Sequence, residues 1–412
     1  MTEIKKSRTT VANIWFGLLM IYLVTSYFAQ DVLLPAAVNS IVLYVFLAFS
    51  AFAVICQGKI KLYNILPWGL LFLAFSFVAM LYSPEFSILS GTYYSMIVNF
   101  ILVFILSQMP WDSKRFDMIM KTFAWVSAAL IIVLAMTGNL VDDSADGRLG
   151  TELFGNANTL AMMLMVGAIY AVWVVISSEK ISTKITYFVL LAVIYIGMFL
   201  SGGRKFVVLP IIFLFVLLLN KADKKGRSHL IRNTVITAVA VVALYLLIMK
   251  VPMFYDIIGV RFEEFFAVFG IGEQEVDSST RLRMQMIDAA WNGWLDSPIW
   301  GHGFDSFKYY NARSVTGHMY YSHNNFVELL YNQGIIGFVT YYFMYGYVLV
   351  KALKRKGRSL SKGFAIAVIV SLLAFEYFGV TYSSISIQIM LFFAYLKIME
   401  ATNEQKRDKQ EN

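Results

Sequence analysis

The chain has 412 residues, of which 59% are hydrophobic and 15% are charged, and its formal net charge is +8. Soluble proteins carry about 25% charged and about 45–50% apolar residues, and they need a charged surface that this composition does not supply. We therefore predict an all-α, polytopic membrane protein, and we exclude a soluble enzyme, a disordered chain and a secreted disulfide scaffold. The single cysteine, Cys56, excludes an intramolecular disulfide.

Twelve apolar stretches approach the roughly 20 residues that a membrane-spanning helix needs. They cover residues 11–29, 32–56, 65–82, 88–109, 122–141, 159–177, 185–201, 206–220, 234–251, 333–351, 364–382 and 384–399. The first stretch follows three cations and lacks a small-x-small cleavage site, so we expect an uncleaved helix rather than a signal peptide. The sequence thus predicts about twelve transmembrane helices.

The longest polar segment separates the ninth stretch from the tenth. We expect helices 1–9 within residues 1–251, a large outer loop at 252–323, helices 10–12 within 324–399 and a charged tail at 400–412, all in a single membrane domain. Inside the loop, residues 280–294 predict a short amphipathic helix. Its apolar face consists of Leu282, Met286, Ala289 and Ala290, and its N-cap is Ser279 or Thr280.

The distribution of positive charge predicts the orientation of the chain in the membrane. If the N-terminus is cytoplasmic, 25 of the 34 Lys and Arg residues fall on the cytoplasmic side, as the positive-inside rule requires. We therefore expect both termini in the cytoplasm and the 252–323 loop on the outer face. The net charge of +8 orients the protein and gives no reason to expect nucleic acid as a partner.

Two polar patches lie at predicted outer helix ends in the first half of the chain. The first is Gly147-Arg148-Leu-Gly150, followed by Asn156 and Asn158. Such residues form a tight loop that caps the next helix, or else the loop faces a ligand. The second patch is Ser201-Gly-Gly-Arg204-Lys205, which is either an interfacial anchor or a fixed guanidinium that binds an anion bidentately. Both alternatives stay open for each patch.

Further candidates lie in the second half of the chain. Arg281 and Arg283 are two residues apart on the predicted loop helix, so they point to different sides and we expect only one to face a site. His323 precedes the tenth apolar stretch, where an imidazole can exchange a proton near neutral pH, although a lone interfacial histidine is more often structural. Glu376 lies inside an apolar stretch, where a carboxylate pairs with an arginine or belongs to a proton pathway.

Metal binding is not predicted. We interpret His302 and His318 as loop residues, and together with His323 they lack the spacing of a zinc site. Acidic residues at 142–143 and within 273–277 are explained more simply as solvated loops than as a divalent-ion site. We therefore expect no metal and no cofactor.

The segment His323-Asn-Asn-Phe-Val-Glu-Leu-Leu-Tyr-Asn-Gln-Gly-Ile-Ile-Gly337 resembles the hallmark of the O-antigen ligase and polysaccharide polymerase superfamily. In that family a His-Asn or His-Ser pair precedes a helix that contains Glu and Gly-x-x-Gly. The resemblance extends to Arg148 with Gly150, Asn156 and Asn158, to Ser201–Arg204, and to Arg281 with the Pro298–Gly303 turn. These motifs occur in the family's order and cover roughly residues 140–345.

The resemblance implies a GT-C-like helical bundle with one large outer loop and a metal-independent, inverting glycosyltransferase. Such enzymes take a glycan from undecaprenyl diphosphate at the outer face of the bacterial cytoplasmic membrane. By position, His323 is the expected base, and Arg204 and Arg281 are the expected diphosphate-binding cations. Further diphosphate candidates are Arg283 and Arg148, and the supporting candidates are Asn324, Glu328, Asn158 and Glu376.

The resemblance leaves the acceptor open. We expect a polymerase of O-antigen or capsular repeat units, because the lysine- and phenylalanine-rich composition suits AT-rich genomes, including those of organisms without lipopolysaccharide. The alternative is a ligase that transfers the glycan to lipid A core. A flippase or transporter is a more remote alternative, because transporters bind at the midplane and often contain internal repeats. The expected partners are the lipid-linked donor, a glycan or lipid A core acceptor, membrane lipids, and a chain-length regulator or flippase.

Overall fold

The computed structural model describes residues 2–29, 33–84, 91–140, 148–220, 227–260, 262–263, 278–355 and 359–411, which contain helices and no strand. The helices are α1 Thr2–Phe28, α2 Ala36–Gln57, α3 Ile65–Leu81, α4 Gly91–Gln108, α5 Ser113–Met136, α6 Thr151–Phe154, α7 Ala157–Ser177, α8 Ile181–Leu200, α9 Arg204–Asn220, α10 Arg227–Lys250, α11 Pro252–Phe254, α12 Ser278–Asp296, α13 Phe307–Ser314, α14 Asn325–Leu353, α15 Leu360–Tyr377 and α16 Ile385–Glu411. A π-helical turn, Tyr255–Gly259, follows α11.

Each predicted apolar stretch overlaps a helix. Within the described ranges, eight helices are long and apolar enough to cross a membrane, namely α1, α2, α4, α5, α7, α8, α14 and α15. Counting Val241–Lys250 together with Pro252–Gly259, which meet at a bend of 95°, gives a ninth span, while α3 and Ile385–Met399 are apolar but shorter. The protein is therefore a polytopic all-α membrane protein, as predicted. The number of twelve spans stays a prediction.

Short polar side chains cap the N-termini of several of these helices. Asp112 precedes α5 and accepts a hydrogen bond from the backbone N–H of Arg115 at 2.7 Å. Ser359 precedes α15 and accepts one from the N–H of Lys362 at 3.2 Å. These caps satisfy N–H groups in the first turn that have no partner within the helix, so they fix where the helices start.

The chain divides into two compact units. The first comprises Met1–Lys61, Ile105–Leu214 and Ala238–Arg261, and α5, α7 and α8 pack together in it. Gly167 of α7 permits the contact with α5, because a Cβ at that position would lie 2.1 Å from Oγ of Ser127. Small residues at such crossings let membrane helices approach closely. The two polar patches in the first half of the sequence belong to this unit.

The second unit comprises Leu62–Phe104, Phe215–Thr237 and Phe262–Asn412. Its central helix is α14, which packs against α3, α12, α13, α15 and α16. The predicted loop helix is α12, and its predicted apolar face is confirmed. Met286 and Ala290 of that face form a buried cluster with Phe307, Val327 and Tyr331, and Leu282, Ile287 and Ala289 pack against the cluster.

Candidate functional site

The helix that follows the predicted motif histidine is broken at Gly334. This residue has φ 61° and ψ −166°, which is not helical, and such a positive φ is readily adopted only by glycine. Past the break, the N–H of Ile335 donates to the carbonyl oxygen of Pro298 at 2.9 Å. A Cβ on Gly301 would lie 2.5 Å from the backbone nitrogen of Gly334. The glycines therefore let two backbone segments touch.

The Pro298–Gly303 turn is fixed to α14 along its backbone. The N–H of His302 donates to the carbonyl of Tyr331 at 2.8 Å, and the N–H of Gly303 donates to that of Asn332 at 2.9 Å. The His302 ring stacks on Tyr331 with 4.5 Å between centroids, and its Nε2 is 2.7 Å from the carbonyl oxygen of Gly293. His302 therefore joins the turn to α12 and α14, a scaffold role that agrees with its interpretation as a loop residue.

His323 lies immediately before this helix in a strained backbone conformation. Its φ is 60°, a value that non-glycine residues adopt rarely, and its side chain is half-buried. The next residue, Asn324, caps α14, because its Oδ1 accepts from the N–H groups of Phe326 at 2.9 Å and Val327 at 3.3 Å. Strained residues persist only where the surrounding contacts determine them, and they concentrate at functional sites.

Glu328 holds the segment that carries His323. The side chain is 0% exposed, and its Oε2 accepts from the backbone N–H of Ser322 at 2.8 Å. Its Oε1 accepts from Nδ2 of Asn332 at 3.1 Å, and Oδ1 of Asn332 accepts in turn from the N–H of Phe307 at 2.9 Å. Glu328 therefore anchors the residue before His323 and connects it to the start of α13.

Asn325, which the sequence analysis did not single out, joins the start of α14 to the turn that follows α15. Its Oδ1 accepts from the N–H groups of Thr381 at 2.9 Å and Tyr382 at 3.1 Å. Its Nδ2 donates to the hydroxyl of Tyr342 at 3.0 Å. The repeated Asn-Asn after the histidine was the available indication, since one amide suffices for a cap and the second needs another role.

Glu376 is buried in α15 and accepts hydrogen bonds from hydroxyl groups. Its Oε1 accepts from Tyr341 at 2.9 Å, Tyr345 at 2.7 Å and Thr381 at 3.1 Å. These partners are hydroxyls and not the arginine that the sequence allowed for. Glu376 thus joins α14 to the turn after α15, and a part in a proton pathway stays a prediction.

A second strained residue, Asp305, centres a polar cluster that the sequence analysis missed. Asp305 has φ 60°, and its Oδ2 forms an ion pair with Lys308 and accepts from Oγ1 of Thr92 at 3.1 Å. The Thr92 hydroxyl is 3.2 Å from that of Tyr321. Only the i, i+3 spacing of Asp305 and Lys308 in the sequence could have pointed to this pair.

Charge and burial alter proton affinity in this cluster. Burial raises the pKa of the Asp305 carboxyl, against the lowering effect of Lys308. Burial lowers the pKa of Lys308, but the hydrogen bond and charge of Asp305 outweigh burial and raise it above its ordinary value. Burial, followed by the charge of Asp305, raises the pKa of the Tyr321 hydroxyl. The Lys308 charge is thus largely compensated by Asp305.

The two arginines of α12 lie at the surface of the second unit. Arg281 and Arg283 are both exposed in the first turns of the helix. Their side chains leave the helix in different directions because they are two residues apart. Which of them faces substrate stays a prediction.

In the first unit, Arg148 connects the two polar patches of the sequence. Its Nε donates to the carbonyl oxygen of Ser201 at 2.8 Å, and its Nη2 donates to Oδ1 of Asn158 at 3.2 Å. Asn156 caps α7 by accepting from the N–H of Asn158 at 2.8 Å, so the capping interpretation of this loop is correct. Arg204 begins α9 and is half-buried. A ligand-facing role for either patch stays a prediction.

No group of three or more His, Cys, Asp and Glu residues that could hold a metal ion occurs in the described part of the chain. The acidic residues at 142–143 and 273–277 lie outside it. Metal independence therefore stays a prediction.

Comparison with known proteins supports the family that the motifs predicted. Residues 186–342 match the model of the family described as O-antigen ligase, and no curated protein matches the chain. The matched range runs from α8 into α14 and contains Arg204, Arg281, Arg283, His323 and Glu328. It includes the Gly334 break and the turn that packs against it. Residues 186–342 are therefore similar to the O-antigen ligase family, which supports the superfamily that the motifs predicted.

Proposed function

We propose that this protein is an inverting, metal-independent membrane glycosyltransferase that polymerises undecaprenyl-diphosphate-linked repeat units into O-antigen or capsular polysaccharide. The observation that carries the proposal is the backbone conformation of His323 and the way its neighbours are held. This imidazole is held in a strained backbone conformation at the broken start of α14, and the residues on both sides of it are fixed by hydrogen bonds. The whole arrangement lies inside the family match.

His323 acts as the general base in this reaction. It takes the proton from an acceptor sugar hydroxyl while that oxygen forms a bond to the anomeric carbon of the donor. The bond between the anomeric carbon and the diphosphate oxygen breaks, so that undecaprenyl diphosphate leaves with the electron pair and the configuration inverts. A positioned base typically contributes about 10²–10⁴-fold to such a step.

Cations stabilise the departing diphosphate. We assign this role to Arg204 and Arg281, with Arg283 and Arg148 as further candidates, because guanidinium groups bind phosphate oxygens bidentately and retain their charge at any physiological pH. The assignment rests on the family motifs. Arg148 also orients the Ser201 turn that precedes Arg204 through its 2.8 Å hydrogen bond, so it has a positioning role as well.

The reaction takes place at the outer face of the bacterial cytoplasmic membrane, with both chain termini in the cytoplasm. The charge asymmetry of the loops supports this orientation, and the lipid tail of the donor stays in the bilayer. Besides donor and acceptor, a chain-length regulator or a flippase is a candidate partner, and no nucleic acid is involved.

The second candidate function is O-antigen ligation, in which the lipid-linked glycan is transferred once to a lipid A core sugar. The description of the matched family favours it. The chemistry and the role of His323 are the same, and only the acceptor differs. Export of the lipid-linked glycan without transfer is the more remote alternative.

Purified protein in lipid nanodiscs, supplied with lipid-linked repeat units, tests the proposal. We expect a ladder of products on a gel, whereas a single transfer that requires lipid A core indicates the ligase. The His323→Ala variant should lose activity by about 10²–10⁴-fold, while the matched variant His318→Ala, at an exposed loop position, keeps it. Normal transfer by His323→Ala contradicts the base assignment, and transport without product formation contradicts the enzyme.

A further inference from the structure

The Asp305 cluster, defined as Asp305, Lys308, Thr92 and Tyr321, has no part in the mechanism above. Asp305 is 3% exposed, and its Oδ2 is occupied by Lys308 and Thr92. Its other carboxyl oxygen, Oδ1, is buried and has no hydrogen-bond partner among the described residues. Buried polar atoms in native proteins are nearly always hydrogen-bonded, so this oxygen requires an explanation.

A second unsatisfied group lies near the segment that carries Asp305. The hydroxyl of Tyr382, in a side chain that is 2% exposed, also has no partner within the described structure. The ring of Phe304, the residue before Asp305, packs against that of Tyr382 with 6.1 Å between centroids. Burial, and after it the negative charge of Asp305, raises the pKa of Tyr382. Oδ1 of Asp305 can only accept when ionised, and the Tyr382 hydroxyl can donate. A ligand O–H group that reaches both atoms satisfies them.

The backbone supports a binding function at this position. Asp305 and His323 are the two non-glycine residues with positive φ in the part of the chain that the structure describes. Tyr321, whose hydroxyl contacts that of Thr92 within the cluster, is only two residues from His323. The cluster is thus tied to the segment that carries the base, and both strained residues belong to the second unit.

The charge and accessibility of the cluster indicate the kind of ligand. The carboxylate of Asp305 repels a diphosphate, and it already compensates the ammonium of Lys308. Lys308 lies over the rings of Tyr309 at 5.2 Å and Tyr321 at 5.8 Å, and all three side chains are half-buried. A neutral, hydroxyl-rich ligand that lies beside aromatic rings therefore fits these surroundings.

We propose that the Asp305 cluster is the subsite that binds the acceptor sugar, with Oδ1 of Asp305 accepting a hydrogen bond from a sugar hydroxyl and the Tyr382 hydroxyl donating to it. This inference rests on the proposed function, because it assigns the acceptor side of the same reaction. An ordered water bonded to the same two groups is the competing occupant.

Calorimetric titration of the full-length protein in nanodiscs tests the subsite. The probes are the free oligosaccharide released by mild acid from the lipid-linked repeat unit, which lacks diphosphate, and inorganic pyrophosphate. The Asp305→Asn variant keeps the shape and the left-handed backbone, which asparagine tolerates. We expect it to weaken oligosaccharide binding by about 10- to 100-fold and to leave pyrophosphate binding unchanged. Asp288→Asn, at an exposed position of α12, is the matched control.

Several results decide the outcome. Unchanged oligosaccharide affinity with a lower melting temperature assigns the two groups to a structural water and overturns the proposal, as does the absence of saccharide binding by the unsubstituted protein. If Asp305→Asn does not fold, Tyr382→Phe removes the donating hydroxyl and keeps the ring, and it should weaken saccharide binding several-fold. Absence of glycan transfer by the unsubstituted protein, with saccharide binding still weakened in Asp305→Asn, refutes the proposed function and leaves the subsite intact.

Discussion

Replacing Glu328 by Gln tests whether the buried carboxylate positions His323. Both oxygens of Glu328 accept, one from the N–H of Ser322 at 2.8 Å and one from Nδ2 of Asn332 at 3.1 Å. A glutamine offers one oxygen and one NH₂ group, so in either orientation a donor faces a donor. Asn332 cannot compensate by flipping its amide, because its Oδ1 already accepts from the N–H of Phe307.

The expected magnitude follows from this geometry. The substitution removes one charge-assisted hydrogen bond and leaves a buried donor unsatisfied, which costs about 1.5–3 kcal/mol of unfolding free energy. Ser322 then loses the contact that fixes its backbone, and His323 shifts with it. Because a misplacement of about 1 Å costs about 10²-fold in rate, we expect kcat to fall about 10- to 100-fold with little change in KM.

The assay combines thermal unfolding in detergent with initial rates of glycan transfer in nanodiscs. Glu179→Gln is the matched control, because Glu179 is exposed between α7 and α8 and such surface changes stay within about 0.5 kcal/mol. If Glu328→Gln unfolds at the same temperature as the unsubstituted protein and transfers glycan within about twofold of its rate, Glu328 does not position His323.

Two further predictions concern the α14 break and the Asp305 ion pair. Gly334→Ala should destabilise the protein by about 1–3 kcal/mol from its φ of 61° alone, and its Cβ would lie 2.2 Å from the carbonyl oxygen of Ile299. Gly346→Ala in the same helix, where a Cβ meets nothing within 4 Å, should be neutral or stabilising by about 0.4–1 kcal/mol, and equal melting temperatures for the two variants would refute the account. The raised pKa of Lys308 means that the folded state binds the lysine proton more tightly than the unfolded state does. The ion pair therefore stabilises the folded state fully below the ordinary lysine pKa, and this contribution is lost as pH rises through the raised pKa. The melting temperature should therefore fall more steeply above about pH 10 in the unsubstituted protein than in Lys308→Met, and parallel curves would contradict it.

The sequence located the helices well where hydropathy alone determines them. Each predicted apolar stretch overlaps a helix, and the predicted face of α12, with Met286 and Ala290, is buried. At α14 hydropathy placed the start of the helix eight residues too late. The predicted stretch begins at residue 333, whereas the first helical segment begins at Asn325. That segment contains Glu328 and Asn332, whose polar groups are satisfied inside the protein. Hydropathy cannot distinguish such residues from a polar loop.

Composition and charge by themselves determined that this is a membrane protein and predicted its orientation. The order of short motifs predicted its family. Each of these properties is a sum or a pattern along the chain. Tertiary structure decided which polar groups meet. Thr92 and Asp305 are separated by 213 residues, and Tyr321 joins them from 229 residues beyond Thr92. No local pattern encodes such contacts, because they depend on how α14, its broken start and the Pro298–Gly303 turn pack together. The strained backbones of Asp305 and His323 follow from the same packing.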